Sequence, residues 1–167
     1  MIARGNPLAG ATAPLSSPLP DVSDEAWTRF VHLCAQAPLR SVSASNALGM
    51  FEMFPRRLAD LKLVENLRRT KAKSGRTVWT GRFVAPLTAE SFLTSARAQY
   101  RVFCLSMLDY AKQIASGSIS VSSTCGLTMS GVLALLHRCG PRGVESWMKG
   151  NSFESTRQFV ERAQGVF

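Results

Sequence analysis

The feature that most constrains this chain is an apolar recurrence between Phe92 and Ile114. Phe92, Ala96, Tyr100, Phe103, Met107, Tyr110 and Ile114 follow one another in three- or four-residue steps, the period of one α-helix face. Leu93, Cys104, Leu108, Ala111 and Ala115 widen the stripe. A helix apolar over so broad an arc has to be covered on most of its sides. The pattern predicts one long helix over 88–116, opened by Thr88 and stopped by Gly117. That helix should be the central and most buried element, with Phe92, Tyr100, Phe103 and Met107 in the core. A chain organised around it is mainly α.

Other segments read as shorter helices around that centre. Ser23 is suited to cap a helix whose first turn holds Asp24 and Glu25, where the helix dipole favours acids. Trp27, Phe30, Val31 and Cys34 make its apolar stripe, and Pro38 prevents continuation. Residues 39–49 form a Ser/Ala/Asn loop closing at Gly49. Pro55 suits the first turn of a second helix, which carries Leu58, Leu61 and Val64. Lys73-Ser74-Gly75-Arg76 reads as a turn, and Thr77-Val78-Trp79-Thr80 and Arg82-Phe83-Val84 as short strands of a small β-hairpin. Thr128 caps a further helix with Val132, Leu133, Leu135 and Leu136, ended by Cys139-Gly140-Pro141. A short helix with Val144, Trp147 and Met148 follows and stops at Gly150. Asn151 and Glu154 have capping-box spacing for the last helix, with Phe159, Val160 and Ala163.

Residues 1–22 read differently, as an extended arm. Pro7, Pro14, Pro18 and Pro20 stand among Gly, Ala and Ser, and proline fixes φ and removes a donor. Leu8, Leu15 and Leu19 would be out of place in a solvated linker and suit an assembly contact with a neighbouring subunit. The expected organisation is thus an arm over 1–22 and one helical domain over 23–167. The chain has 167 residues, enough to bury one core. With 46% hydrophobic and 19% charged residues, wholesale disorder is excluded. No charge-free apolar run reaches ~18 residues, so no membrane span is expected. The start, Met1-Ile2-Ala3-Arg4-Gly5-Asn6-Pro7, has no continuous apolar stretch, so no signal peptide is expected.

Charge is concentrated in one place. The chain carries +9, and nine bases lie between Arg56 and Arg82: Arg56, Arg57, Lys62, Arg68, Arg69, Lys71, Lys73, Arg76 and Arg82. Only Asp60 and Glu65 oppose them, so the stretch accounts for +7. Such a patch attracts nucleic acid, lipid headgroups, an anionic cell-wall polymer or an acidic protein surface. A solvated charged loop explains it equally well. Cys34, Cys104, Cys125 and Cys139 form no C-x-x-C, and His32 and His137 are far apart in sequence. No metal and no cofactor is expected. Reduced thiols are the default reading, with a Cys125–Cys139 pair left open.

Two segments resemble goose-type lysozymes and lytic transglycosylases. Val42-Ser43-Ala44-Ser45-Asn46-Ala47-Leu48-Gly49-Met50-Phe51-Glu52-Met53-Phe54-Pro55 is similar to that family's Ser, Gly-Ala-x-Gly-Leu-Met-Gln segment and helix-opening Pro. Leu135-Leu136-His137-Arg138-Cys139-Gly140-Pro141-Arg142-Gly143-Val144-Glu145-Ser146-Trp147 is similar to its Ala-Tyr-Asn-Ala-Gly-Pro-x-x-Val-x-x-Trp. The helix expected over 88–116 matches the family's central helix, and the resemblance spans about residues 24–150 in the family's order. It implies a lysozyme-like helical domain with a substrate groove that includes Ser43, Ser45, Gly49, Trp79 and His137.

The family's chemistry is what departs. Its catalytic Glu stands fifteen residues before the last Gly of the first segment, and counting back from Gly49 lands on Cys34. No carboxylate lies between Glu25 and Glu52. Glu25 is nine residues before Cys34, about 13 Å along a helix at 1.5 Å per residue. The family's Tyr-Asn pair is replaced by Leu136 and His137. Glu52 stands where the family has Gln; beside Phe51, Met53 and Phe54 it could serve as a proton donor. Its plainer role is structural, paired with Arg56 at i+4. His137 reads as a packing or capping residue rather than a base. Trp79 and Trp147 suit stacking on sugar faces, although core packing accounts for them more simply.

Three classes of function follow. The first is a structural and interaction protein that reuses a lysozyme-like fold without its acid. Such small chains resemble accessory proteins of tailed bacteriophages, found in the tail or baseplate. This reading implies a virion protein made in the bacterial cytoplasm, with other virion proteins as partners and peptidoglycan as a further candidate. It also implies an oligomer within a particle. The second is an active peptidoglycan glycosidase or lytic transglycosylase using Glu52. The third, a nucleic-acid-binding protein, rests on charge alone; no recognition helix, zinc motif or aromatic–basic interleaving stands out, so nucleic acid is not the expected partner. The first class fits the residues best.

Overall fold

The computed structural model describes residues 15–71, 75, 77–121 and 126–167. Among them are seven helices and one two-stranded antiparallel sheet, so the fold is mainly α with a small β-hairpin. The elements are α1 (Asp24–Cys34), α2 (Pro55–Asp60), β1 (Val64–Lys71), β2 (Thr77–Phe83), α3 (Ala89–Thr94), α4 (Ala96–Ala115), α5 (Met129–Cys139), α6 (Pro141–Met148) and α7 (Glu154–Ala163). No helix among the described residues is long and apolar enough to cross a membrane. The chain forms two compact units. One holds Ala35–Leu105, and the other joins the segment ending at Cys34 to Ser106–Phe167.

In the first unit, Met50, Phe51, Met53, Leu58, Phe92 and Phe103 are buried. Pro55 opens α2, where its missing N–H costs nothing. The helix ends at Asp60 and does not reach Val64 as the spacing predicted. Lys62 turns the chain at φ 61, with its N–H bonded to the Ala59 carbonyl at 2.9 Å, and Val64 becomes the buried first residue of β1.

The hairpin exists, but its strands differ from those expected. Thr77–Phe83 is one strand, and its partner is Val64–Lys71, with Val64 opposite Phe83, Arg69 opposite Trp79 and Lys71 opposite Thr77. Val-Glu-Asn-Leu-Arg-Arg-Thr-Lys shows no apolar alternation because it is almost wholly exposed, so the period-2 signal was missing. The turn expected over 73–76 lies, apart from Gly75, outside the described residues. A bulge between Glu65 and Arg68, with Asn66 at φ 52, lies across from Gly81. A Cβ at Gly81 would fall on the Val64 side chain and stand 3.0 Å from the Glu65 carbonyl, so only glycine fits.

The single helix expected over 88–116 is two helices. Thr88 and Ser91 form a reciprocal capping box that starts α3. Ser95 then leaves helical geometry at φ −114, ψ 106, and its hydroxyl accepts the Ala98 N–H at 3.1 Å, capping α4. A serine whose hydroxyl takes the N–H three residues ahead starts a new helix where apolar spacing alone would run through. Phe92, Phe103 and Met107 are fully buried, but Tyr100 is only half-buried and Leu105 is 51% exposed. The more completely buried helix is α5, where Ser130 to Leu136 are buried without interruption.

In the second unit, α1 contributes Trp27, Phe30 and Val31 to the core. Phe159, Val160 and Ala163 of α7 pack there as expected from their spacing. Thr128 caps α5 by accepting the Gly131 N–H. The Ser130 hydroxyl donates to the Ala163 carbonyl at 2.6 Å, tying α5 to the end of α7. Asn151 does not form the expected capping box, because α7 begins two residues later: Phe153 is the N-cap and makes no side-chain cap. The described end of the N-terminal segment is held by this unit. The Leu15 N–H donates to Thr28 Oγ1 at 2.7 Å, the Ser17 N–H to Asp24 Oδ1 at 2.8 Å, and Leu19 is buried. Leu8 and the rest of 1–14 lie outside the described residues.

Candidate functional site

The loop that carries the first resemblance is built from two tight turns. Short bridges pair Val42 with Leu48 and Leu48 with Met53. The Ser43 N–H donates to the Ala47 carbonyl at 2.9 Å, with Asn46 at φ 61 at the corner. The Leu48 and Met53 backbones exchange hydrogen bonds of 2.9 Å each, and the Glu52 N–H donates to the Gly49 carbonyl at 3.0 Å. Ser41 closes the base, its hydroxyl donating to the Gly49 carbonyl at 2.9 Å.

Gln99 of α4 organises the loop from beneath. It is completely buried. Its Oε1 accepts the Met50 N–H at 2.7 Å, and its Nε2 donates to the Leu39 carbonyl at 2.8 Å and the Phe92 carbonyl at 2.9 Å. Gly49 sits at φ +71 against this amide, and a Cβ there would overlap it. The glycine is therefore needed twice, for its left-handed backbone and for its missing side chain. The second turn is pinned by Phe51, stacked on Phe103 of α4 with centroids 4.3 Å apart and planes 13° apart.

Around this frame lie the other candidates in the same unit. Glu52 is half-buried at φ 48, between the buried Phe51 and Met53. Ser43 and Ser45 hydroxyls are 3.2 Å apart. The Asn46 amide donates to the Trp79 carbonyl at 3.2 Å, which ties the loop to β2. Trp79 is half-buried, with the Arg56 guanidinium carbon 6.0 Å from its ring centroid. Of the basic residues, Arg56, Arg68, Arg69, Lys71 and Arg82 are exposed and Arg57 is half-buried. Lys73 and Arg76 lie outside the described residues.

Cys34 and His137 belong to the other unit. Cys34, the residue on which the count from Gly49 lands, is 3% exposed at the end of α1, and burial pushes its thiol far above its ordinary range. His137 is half-buried in the last turn of α5. Cys34, Cys104 and Cys139 are free thiols, while Cys125 lies outside the described residues. Burial raises the Cys104 thiol as well, opposed by a hydrogen bond with Tyr100. Among the described residues no three His, Cys, Asp or Glu side chains converge as metal ligands would.

No known family, curated protein or solved structure matches this chain. Gln99 and Asn46 are the residues that sequence reasoning passed over. Gln99 left one signal: it stands seven residues after Phe92 and seven before Ser106, polar on a face otherwise apolar. Gln99 and Ser106 are both fully buried, and a buried amide on such a face implies backbone partners.

Proposed function

We propose that this chain is a structural and interaction protein of a phage particle, in the tail or baseplate, built on a lysozyme-like helical framework without the catalytic acid. The observation that carries the reading is Cys34. Glycoside cleavage needs a proton donor placed on the scissile oxygen. The residue at the position where the resemblance expects that donor is a buried thiol, held neutral by its surroundings. The loop residues support the same reading, since the Gln99 amide is committed to the backbone of Leu39, Met50 and Phe92. This is a site spent on rigidity. Placement in a particle rests on the resemblance of such small chains to tailed-phage accessory proteins.

A second reading, a peptidoglycan glycosidase acting through Glu52, is favoured by one feature. The left-handed turn between two buried side chains sets the direction in which the Glu52 side chain leaves the backbone. A zymogram on purified cell wall separates the two. The structural reading expects no clearing by the wild type. Clearing that Glu52→Gln abolishes makes the protein an enzyme. Mass spectrometry of purified particles tests the placement: the chain should be a particle component, and its absence from them refutes that assignment.

A further inference from the structure

We propose that the β1–β2 hairpin is a nucleic-acid-binding arm that lies along the phosphodiester backbone. Its starting point is the exposure of the ribbon. Of the eight residues of β1, only Val64 is buried and Leu67 half-buried; the other six are exposed. Thr80, Gly81 and Arg82 of β2 are exposed too. A two-stranded ribbon in solvent is at best marginally stable by itself. This one is anchored at its base by Val64, and by Phe83 packed 5.6 Å from Phe92. Farther out the Asn46 amide holds the Trp79 carbonyl at 3.2 Å, and the exposed Arg68, Arg69 and Lys71 carry the charge.

Register places that charge on both faces. Directly paired residues share a face, so Arg69 and Trp79 lie together with Lys71, while Arg68 and Thr80 lie on the opposite face. Arg56 joins the Trp79 face through its stacking contact. Arg69 and Lys71 alternate along the strand, which separates them by about 6.6 Å. Glu65 is paired with Arg82. No acid among the described residues is paired with Arg68, Arg69 or Lys71. Four bases against one acid on the described ribbon give it a net +3.

The chemistry of the exposed side chains selects the partner. Protein partners are held by large apolar or aromatic anchors at the interface centre. Among its described residues the ribbon exposes none: its Leu67, Val78, Trp79 and Phe83 are half-buried, and the exposed large apolar side chains of the described residues lie outside it. Insertion into a lipid surface needs the same apolar anchors. A polymer of evenly spaced phosphates needs only cations and donors in a row. A two-stranded ribbon is also narrow enough to enter a duplex major groove about 12 Å wide. The sequence hid this because the bases of β1 gave no strand signal.

Fluorescence anisotropy on the full chain tests the proposal. The probes are labelled mixed-sequence oligonucleotides of roughly 20 bases, one single-stranded and one duplex, titrated between about 50 and 200 mM salt. The ribbon variant is Arg68→Gln/Arg69→Gln/Lys71→Gln, which keeps the side-chain stems. A matched variant, Arg142→Gln/Lys149→Gln/Arg162→Gln, removes equal charge from exposed positions elsewhere. Circular dichroism checks that both fold. The wild type should bind at least one probe, which identifies the strand form. The ribbon variant should lose ~10-fold or more in affinity, with a log K–log salt slope shallower by about 2–3, while the matched variant changes far less. No binding at the lowest salt overturns the proposal. Equal loss from both variants overturns it as well, because diffuse net charge then suffices. So does binding to phosphatidylserine vesicles without binding to either oligonucleotide.

Discussion

Gly49 presses its backbone against the side-chain amide of Gln99, and each residue restricts the other. Alanine at 49 would have to adopt φ +71 and share space with that amide. Gly49→Ala should therefore destabilise by about 2–4 kcal/mol. Gln99→Ala should cost a similar ~2–4 kcal/mol, since it strands the Met50 N–H and two carbonyls. The double variant should cost less than the sum, because truncating Gln99 makes room for the methyl group. Urea unfolding of the three proteins measures the cycle. Strict additivity would mean that the two residues do not interact.

Phe51 carries the second turn of the loop through its stack on Phe103. Phe51→Ala should destabilise by about 3–5 kcal/mol, as for large buried aromatics in general. Phe51→Leu should cost less. Thermal unfolding followed by far-ultraviolet circular dichroism reads both.

The break between α3 and α4 predicts a local effect. Ser95→Ala removes the hydroxyl that accepts the Ala98 N–H and should cost about 1 kcal/mol. Hydrogen exchange should speed at the first turn of α4 and remain slow near Met107. Uniform acceleration would show that the serine is not a local cap.

Helices with apolar stripes and clean stop signals were legible in the sequence: α1 ends at Cys34, short of Pro38, α5 at Cys139 before Gly140, and α6 at Met148, two residues before Gly150. The break at Ser95 was not, because apolar spacing continues through it while the hydroxyl redirects the backbone. β1 was hidden for the opposite reason. Its side chains face water, and a strand that buries nothing has no hydrophobic period. In the candidate site, Gly49 stood out by its position, whereas the partner that makes it necessary lies fifty residues away on α4. Contacts over such distances leave no local pattern.

The buried thiols predict a pH dependence. Cys34 keeps its proton in the folded state well above its ordinary value of 9.0. The unfolded chain releases that proton first. The stabilising effect is complete below that value and is lost as pH rises through it, with a limiting slope of about 1.4 kcal/mol per pH unit for one thiol. Cys104 acts in the same direction. Cys34→Ala should flatten the stability profile above that pH. Iodoacetamide should label exposed Cys139 in the native protein and leave buried Cys34 unmodified. Fast labelling of Cys34 would contradict its burial.

The most direct test of the central claim is muropeptide analysis of purified peptidoglycan incubated with the folded wild type and with Glu52→Gln. The proposed reading, in which a thiol stands at position 34 where the resemblance expects the acid, predicts no new glycan ends from either protein, even at long incubation, since losing one positioned acid costs ~10²–10⁴ in rate. Reducing or anhydro ends released by the wild type and lost in Glu52→Gln would contradict the account and assign the protein as a cell-wall glycosidase or transglycosylase.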